Sequence, residues 1–426
     1  MEPVTKQNKG AISLGKISGP GAEKAFKFNP FLPEFHANPY PTYQRLRTED
    51  PIHQSFGTWI LTRYTDVKAV LRDPRFCSVP IPKRIKDKSH YFEQQQRGLR
   101  TLAQMTSKFF FYLDPPDHTR LRGLVSKAFS SKVVEHMRPQ IQEIVDELIC
   151  KVRDTGVIDI ILDLSCPLPV LVISKMLGVP AKDSSKLAKW SNELSHIIDP
   201  LVSLEAYDQL NQVAGEFADY FRGLIVEREK RPKEDLISAL ITARDEGDKL
   251  NDDELLSVCM LLFVTGEETT VNTVGNGMLA LLRHPDQMEL LKRKPTIIQS
   301  AVEELLRYDS PVQQTARIAT ENVEIGGRTI RAGADVIVCL GAANRDPAQF
   351  PNPDQLDLTR DENRHLAFGD SIHYCLGAAL ARVQSQIAIN TLVQRLPNMK
   401  LHIDKLEWRK NINIRGLKAL PVTFTP

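Results

Sequence analysis

The segment from 252 to 282 constrains the fold of this chain more than any other. Asn251 and Glu254 have the spacing of a capping box, which predicts that a helix begins at this point. Residues 255–264 are apolar on nearly all sides, so the helix must be buried all round. At about 1.5 Å per residue it is about 45 Å long. We therefore expect a domain in which other elements pack around one long central helix.

The rest of the chain is mostly helical with a minor share of strand. Residues 117–288 follow a helical pattern almost throughout, and further helices are predicted over 296–308 and from near Leu376. Residues 318–340 alternate between apolar and polar side chains, which is typical of strands. The predicted fold class is therefore mainly α with small β-sheets.

No linker or repeat divides the chain, so we expect one domain over residues 27–426. Residues 1–26, rich in Gly, Lys and Ser, are expected to be a flexible N-terminal segment. Residues 78–112 have no clear periodicity and are predicted to form a long loop, an element that is often used for binding.

Charge and hydropathy exclude some classes of partner. Lys and Arg total 55 and Asp and Glu total 53, a formal charge of +2, which gives no reason to expect nucleic acid. No apolar run nears the ~20 residues that span a bilayer, and no secretory signal is recognisable. We expect a cytoplasmic protein that binds neither nucleic acid nor a membrane. The six cysteines form no CxxC pair, so zinc or disulfides are a remote alternative.

The strongest chemical signal surrounds Cys375. Residues 368–377 read Phe-Gly-Asp-Ser-Ile-His-Tyr-Cys-Leu-Gly and precede a helix. Backbone N–H groups at a helix N-terminus favour an anion and lower the pKa of a thiol. Such a cysteine can be a redox nucleophile, a haem ligand or an inert core thiol, and for an isolated cysteine the inert role is the commonest.

A second signal lies in the middle of the long helix, where residues 265–270 read Thr-Gly-Glu-Glu-Thr-Thr. Carboxylates in a buried helix are costly unless they serve a purpose. A local polar face that meets solvent is the alternative explanation.

Together these motifs resemble those of the cytochrome P450 family. Residues 368–377 match the haem-binding loop Phe-Gly-x-Gly-x-His-x-Cys-x-Gly, except that Ser371 replaces a glycine. The resemblance covers the chain from about Asn29 to Pro421 and is greatest to soluble bacterial members that oxidise polyketides or macrolides. It implies the P450 fold, with the long helix over the haem. It also implies that Cys375 is the metal ligand and that Phe368, Gly377 and His373 contact the cofactor, haem b.

The family's oxygen-binding helix carries the motif Ala/Gly-Gly-x-Asp/Glu-Thr. By this resemblance Glu268 and Thr269 are the catalytic acid and alcohol, and Gly266 leaves space over the iron. Thr265 replaces the usual small residue and is predicted to narrow the pocket. Glu267 occupies a position at which the family varies.

Two further sets match the family. His118, Arg122, Arg317 and His373 are expected to bind the haem propionates, since buried carboxylates need charged or hydrogen-bonding partners. Alone, His118 and Arg122 could equally be solvated surface residues.

Glu304 and Arg307 match the family's Glu-x-x-Arg pair, a structural charge network; an exposed pair of little consequence is the alternative. In the family a Pro-rich meander, residues 344–364 here, usually supplies an arginine as the third partner. Gln355 occupies that position in this chain, and Arg360 is the candidate substitute.

The resemblance implies a monooxygenase that inserts one oxygen atom from O2 into a small organic substrate, either free or bound to a carrier protein. A natural product such as a polyketide, hydroxylated or epoxidised, is the expected substrate. The candidate substrate-pocket residues are Phe263, Thr265, Val312, Gln313, Gln314 and Leu417.

Electrons are expected from a separate ferredoxin and its reductase, and the protein is expected to be a monomer. Lys127, Lys132 and Arg382 are candidates for docking an acidic ferredoxin, although each can equally be an ordinary surface charge. The alternatives to a monooxygenase are a peroxide-driven peroxygenase and a non-catalytic P450-like module that binds carrier proteins.

Overall fold

The longest of the described helices runs from Asp252 to Arg283, within a residue of the predicted limits. The Asn251 side chain accepts from the Glu254 N–H at 3.0 Å, and the Glu254 carboxylate accepts from the Asn251 N–H at 3.0 Å. This capping box satisfies two of the N–H groups that a helix leaves unpaired at its start.

The computed structural model describes residues 28–55, 57–78, 80–93, 98–198, 202–243 and 248–426. The predicted flexible segment 1–26 lies outside these ranges. The described α-helices are α1 Pro33–Ala37, α2 Tyr40–Glu49, α3 Tyr64–Arg72, α4 Pro80–Glu93, α5 Arg100–Ser107, α6 Asp117–Ala128, α7 Ser131–His136, α8 Arg138–Cys150, α9 Pro167–Leu177, α10 Ser184–Ser195, α11 Leu204–Lys230, α12 Leu236–Thr242, α13 Asp252–Arg283, α14 Pro285–Arg293, α15 Ile298–Tyr308, α16 Leu340–Ala343 and α17 Ala378–Arg395.

Short helical turns and strands complete the described structure. The turns are 3₁₀ helices at Phe110–Tyr112, Ala181–Asp183, His196–Ile198, Pro295–Ile297 and Ser371–His373, and a π-helix at Ile160–Ser165. The strands are β1 Ile52–Ser55, β2 Thr58–Leu61, β3 Phe76–Cys77, β4 Val157–Asp159, β5 Thr315–Ala319, β6 Val323–Ile325, β7 Arg328–Ile330, β8 Asp335–Val338, β9 Lys400–Leu401 and β10 Pro421–Thr423.

The strands form three small sheets in the described part of the chain. The largest has the order β1-β2-β8-β5-β3; β2 and β8 are parallel, with Trp59 opposite Val336, and the other neighbours are antiparallel. A second sheet has the order β4-β10-β9, and β6 and β7 form a hairpin. The predicted class, mainly α with small sheets in a single domain, is confirmed.

Helix α13 is the centre of the core, with α9, α10, α11, α15 and α17 packed around it. Its residues are buried from Leu255 to Phe263 and again from Thr270 to Leu281. Between these stretches, residues 264–269 are only partly buried or are exposed. The helix is therefore open at its middle, where it passes a cavity.

The prediction of a long loop over residues 78–112 is wrong for most of that length. Helix α4 and helix α5 occupy much of it, and α5 buries Leu102, Met105 and Thr106 along one side. Helices this short are stabilised mainly by packing and not by their own sequence. The periodicity of eight residues is too brief to stand out in the sequence.

Residues 160–177 form an apolar stretch. They have the length and mean hydropathy, 1.8, of a possible membrane span, but 67% of the stretch is buried inside the protein. In this structure it forms the π-helical turn and α9, which pack against α13. It therefore serves as core.

A buried ion-pair network joins α15 to the segment before the cysteine loop. Glu304 and Arg307 are both fully buried and pair through two contacts of 2.7 and 2.8 Å. Arg360 Nε lies 3.1 Å from Glu304, so the structure brings the candidate third partner to this carboxylate. Arg307 also donates to the carbonyls of Asn344 and Pro353. The network thus ties the meander to α15.

Replacing Arg360 by Gln is expected to lower the free energy of unfolding by about 1–3 kcal/mol, because a hydrogen bond to a buried charge is lost. Urea denaturation of the purified protein measures this difference. Arg364→Gln is the matched control, since Arg364 is exposed in the same segment. Equal stability of the two variants would show that Arg360 is a surface charge.

Candidate functional site

Cys375 is presented by a tight loop that ends at the start of α17. Its N–H donates to the Phe368 carbonyl at 2.9 Å, and the Ala378 N–H donates to the Cys375 carbonyl at 3.3 Å. Gly369 has a φ of +74°, a left-handed conformation that glycine adopts without strain. In this loop Cys375 lines the central cavity.

Ser371 also adopts the left-handed region, with a φ of +62°. This is the position at which the resemblance expects glycine. A serine pays for this conformation with backbone strain of about 1 kcal/mol, so the substitution leaves the loop intact but strained.

The sulfur of Cys375 has mixed electrostatic surroundings. Burial raises the pKa of the thiol, while the Gly377 N–H, Arg122 and Arg382 lower it. The net direction is upward, so the helix N-terminus does not by itself produce the thiolate that the sequence analysis expects. A metal ion bound to sulfur deprotonates the thiol outright.

The open middle of α13 faces this cysteine across the cavity. Thr265, Thr269 and Thr273 lie on one side of the helix at intervals of four residues. Each hydroxyl donates to the carbonyl four residues earlier, at 2.8, 3.2 and 2.8 Å. A Cβ added to Gly266 would meet no atom within 4 Å. Gly266 therefore leaves free space on the same side.

The cavity between the loop and α13 has a volume of about 340 Å³. Its lining is mainly apolar, and it includes Cys375 and Phe368 on one side and Gly266 and Thr269 on the other. The structure thus brings these four predicted site residues together. Gly369, Gly377, Arg122, Arg317 and His373 also line it.

One end of the cavity is polar: His373 and Arg317 line it, and Nε2 of His373 lies 3.1 Å from the Ser78 hydroxyl and 3.8 Å from Asp114. Both ring nitrogens of His118 are buried with no hydrogen-bond partner among the described residues, as is Nδ1 of His373, whose ring lies 4.4 Å from that of His118. Arg317 is buried and, within the described part of the chain, its hydrogen bonds go to Thr315 and the Ala316 carbonyl. Such orphaned donors fit a ligand with buried acidic groups.

The residues present at this site fit a haem. Its propionates would satisfy the unpaired nitrogens of His118 and His373 together with Arg122 and Arg317. Cys375 would supply a sulfur ligand to the iron, and the apolar walls would hold the macrocycle.

Below the loop, Arg382 is anchored by several groups. It forms two contacts of 2.7 Å with Glu303, donates to the Tyr374 hydroxyl at 3.0 Å and lies 4.5 Å from the centre of the Phe368 ring. Burial would raise the pKa of Glu303, but Arg382 and His365 outweigh it and lower the pKa to about 2. This cluster braces both flanks of Cys375.

Glu268 lies apart from the other predicted catalytic group. Its carboxylate is 3.7 Å from Arg409 and lines a second cavity behind α13, while Thr269 lines the first. The acid and the alcohol are neighbours in the helix but face different spaces.

Two of the six candidate substrate-pocket residues, Thr265 and Val312, line the central cavity. Phe263 instead packs its ring against those of Phe217 and Phe221. Neighbouring residues of an extended segment point in opposite directions, so Gln313, next to Val312, turns away and donates to the Ser310 carbonyl.

The other two candidates also lie outside the cavity lining. Gln314 donates to Asn413 at 3.1 Å. Leu417 is fully buried in the core. The assignment of Phe263, Gln313, Gln314 and Leu417 to the pocket wall does not fit this geometry.

Several residues that line the cavity were not among the predicted site residues. Thr273 could have been found, since it repeats the four-residue spacing of Thr265 and Thr269. Thr315 and Leu340 come from β5 and α16, and only tertiary packing brings them to the cavity.

The comparisons with known proteins agree with this geometry. Residues 80–417 match the family described as "Cytochrome P450". The chain belongs to the cytochrome P450 family. The polyketide biosynthesis cytochrome P450 PksS of Bacillus subtilis is 40% identical over 412 residues, which cover 93% of this chain and 98% of that protein. A second relative, 6-deoxyerythronolide B hydroxylase of Saccharopolyspora erythraea, is 40% identical, and the match covers 91% of this chain and 96% of the relative.

Solved P450 structures share the whole fold. That of P450BioI in complex with an acyl carrier protein carrying hexadec-9Z-enoic acid superposes with a TM-score of 0.86 at 41% identity, covering 92% of this chain and 99% of that one. The chain is therefore a P450 monooxygenase, a class whose cofactor is haem, and its relatives include polyketide- and macrolide-oxidising members.

Replacing Ser371 by Gly is expected to raise the free energy of unfolding by about 1 kcal/mol, because glycine adopts a positive φ without strain. Thermal or urea denaturation measures the gain, with Ser371→Ala as the control that keeps the Cβ. If the glycine variant is no more stable than the alanine variant, the loop carries no strain at this position.

Proposed function

We propose that this P450 is a haem-thiolate monooxygenase that hydroxylates or epoxidises an apolar natural product such as a polyketide. One observation carries the proposal: a single apolar cavity has the Cys375 thiol on one side and the threonine-lined opening of α13 on the other. Bound haem supplies the activation of O2 and its transfer to carbon, favoured by a thiolate ligand. The protein contributes the ligand, the shape of the pocket and the protons.

We propose non-covalent haem b as the form of the cofactor. The chain has no Cys-x-x-Cys-His sequence for covalent attachment. His118, His373, Arg122 and Arg317 provide donors for two propionates, and burial with His373 and Arg122 lowers the pKa of His118 to about 4. His118 is therefore a neutral donor, and the arginines supply the positive charge.

The hydroxyl of Thr269 is proposed to hold and pass a proton at the opening of α13. In the resting arrangement it donates to the Thr265 carbonyl at 3.2 Å, a bond long enough to be exchanged for one with a bound group. Glu268, held by Arg409, is the proposed acid behind it.

The substrate class follows from the lining and from the relatives. Phe110, Phe111, Leu261 and Val312 present apolar surface to the cavity, which suits a hydrocarbon chain or macrolactone. The relatives named above act on polyketide-type molecules, and one solved structure holds a fatty acid on a carrier protein. A free or carrier-tethered apolar substrate is therefore proposed.

A ferredoxin with its reductase is the proposed electron source, and the proposed location is the cytoplasm. Lys127 and Lys132 are exposed on the helices that lead to the thiolate side. Ile372 and Tyr374, beside Cys375, are large exposed apolar residues, 45% and 38% accessible. Arg382 is committed to Glu303, so we assign docking to the lysines and bracing to Arg382.

Peroxygenase activity and a silent carrier-binding role are the competing functions. Turnover sustained by peroxide but not by a ferredoxin and NADH would favour the first. A purified protein without haem absorbance would favour the second.

Replacing Thr269 by Ala is expected to lower product formed per NADH by about tenfold, because proton delivery at the cavity is impaired. The substrate for this assay is the compound, chosen from a panel of macrolactones and fatty acids, that shifts the spin state of the haem iron most. Thr270→Ala is the control, since Thr270 lies on the same helix and donates to the Gly266 carbonyl. Unchanged coupling in the Thr269 variant would refute its role in proton transfer.

A further inference from the structure

On the side of α13 away from Cys375 lies a second cavity with a volume of about 240 Å³, which we call the rear cavity. Helix α10, the segment before α9 and the C-terminal region close it on three sides through Ser191, Cys166 and Arg409. Lys189 and Asn192, both exposed, also line it. Its volume is enough for several water molecules at ~30 Å³ each.

Two adjacent carboxylates of α13, Glu267 and Glu268, line this cavity. Successive residues of a helix are turned by about 100°. Glu267 therefore faces nearly opposite to Thr269, while Glu268 lies between the two directions. Glu267, Glu268 and Thr269 therefore lie in order around the helix, from the side of the rear cavity to the side of the haem-binding cavity.

Glu267 is built into the rear cavity and not left at the surface. Its side chain interacts with Ser191, which also donates to the Phe263 carbonyl at 3.4 Å. Its other oxygen, Oε2, is buried without a hydrogen-bond partner among the described residues. A buried, half-satisfied carboxyl that faces a polar space is suited to exchange protons with water there.

We propose that Glu267 is a positioning residue for proton delivery: protons enter through the rear cavity, load Glu267, and pass by way of Glu268 to the Thr269 side of α13. The inference rests on the proposed monooxygenase function. It adds a second acid, at a position that the family motif leaves variable, to the pair of Glu268 and Thr269.

The charges around Glu267 agree with this role. Burial raises its pKa to about 7; Glu268 adds to the rise, and Ser191 and Arg409 oppose it. Cys166 is neutral near this pH because burial raises the pKa of its thiol to about 11. Lys189 is the remaining charged group of the lining. Glu267 thus carries a proton below about pH 7 and loses it above.

The test uses the haem-loaded protein without organic substrate, supplied with NADH, a reductase and saturating ferredoxin. The reaction is NADH + H⁺ + O2 → NAD⁺ + H2O2: two electrons reduce oxygen, and one proton comes from solvent. Peroxide formation is measured from about pH 6 to about pH 8.5, the range in which Glu267 changes charge. In the parent protein the rate is expected to fall as the pH rises through about 7.

Glu267→Gln keeps the size of the side chain but cannot release a proton. It is expected to form peroxide about fivefold more slowly at low pH and to show little dependence on pH. Glu267→Asp should restore part of the rate and the pH dependence. Glu193→Gln, on α10 and outside the cavity, should follow the parent. A rate and pH profile of Glu267→Gln equal to those of the parent would overturn the inference.

A second measurement does not depend on turnover. Because burial disfavours the charged carboxylate, the melting temperature of the parent should fall relative to that of Glu267→Gln as the pH rises from about 4.5 to about 7, and the difference should level off above about pH 7. A difference in melting temperature that does not change with pH would contradict a buried, titrating Glu267.

The carbon monoxide spectrum of each variant separates the two proposals. Absence of the red-shifted Soret band in the parent refutes the haem-thiolate function, whereas a normal band with unchanged kinetics refutes only the role of Glu267.

Discussion

The open middle of α13 is the constraint on which the rest of the structure depends. A helix of 32 residues that is buried over 255–263 and over 270–281 must be enclosed by other helices, yet between residues 264 and 269 it meets cavities on both sides. Gly266 and the threonine hydroxyls, already bonded to their own helix, allow this break without unpaired backbone groups. The same break places one cavity toward Cys375 and another toward Glu267.

Ion pairs, one set buried and one half-buried, anchor the cysteine loop and the segment before it to α15. Glu304, Arg307 and Arg360 hold the meander against α15, and Glu303 with Arg382 braces the residues that flank Cys375. Both carboxylates come from consecutive positions of α15. One helix therefore anchors the approach to the cysteine loop and the loop itself, which gives the sulfur a defined direction despite the strain at Ser371.

The parts of this arrangement that were predictable are those with local signals. The capping box at Asn251, the cysteine loop and the threonine spacing are encoded within a few residues each. Helices α4 and α5 were missed because their stability comes from packing. Phe263, Gln313, Gln314 and Leu417 were placed in the pocket by proximity in sequence, which does not show which way a side chain points. Arg409 and the rear cavity depend on contacts between segments far apart in the chain, and no local pattern reports them.

We propose that the sulfur of Cys375 binds the iron of a haem. X-ray absorption at the iron edge of the purified, haem-loaded protein distinguishes a sulfur neighbour from nitrogen or oxygen. We expect one sulfur neighbour in addition to the nitrogen atoms of the porphyrin, and its loss in Cys375→Ser. An iron surrounded only by nitrogen and oxygen in the parent protein would contradict it.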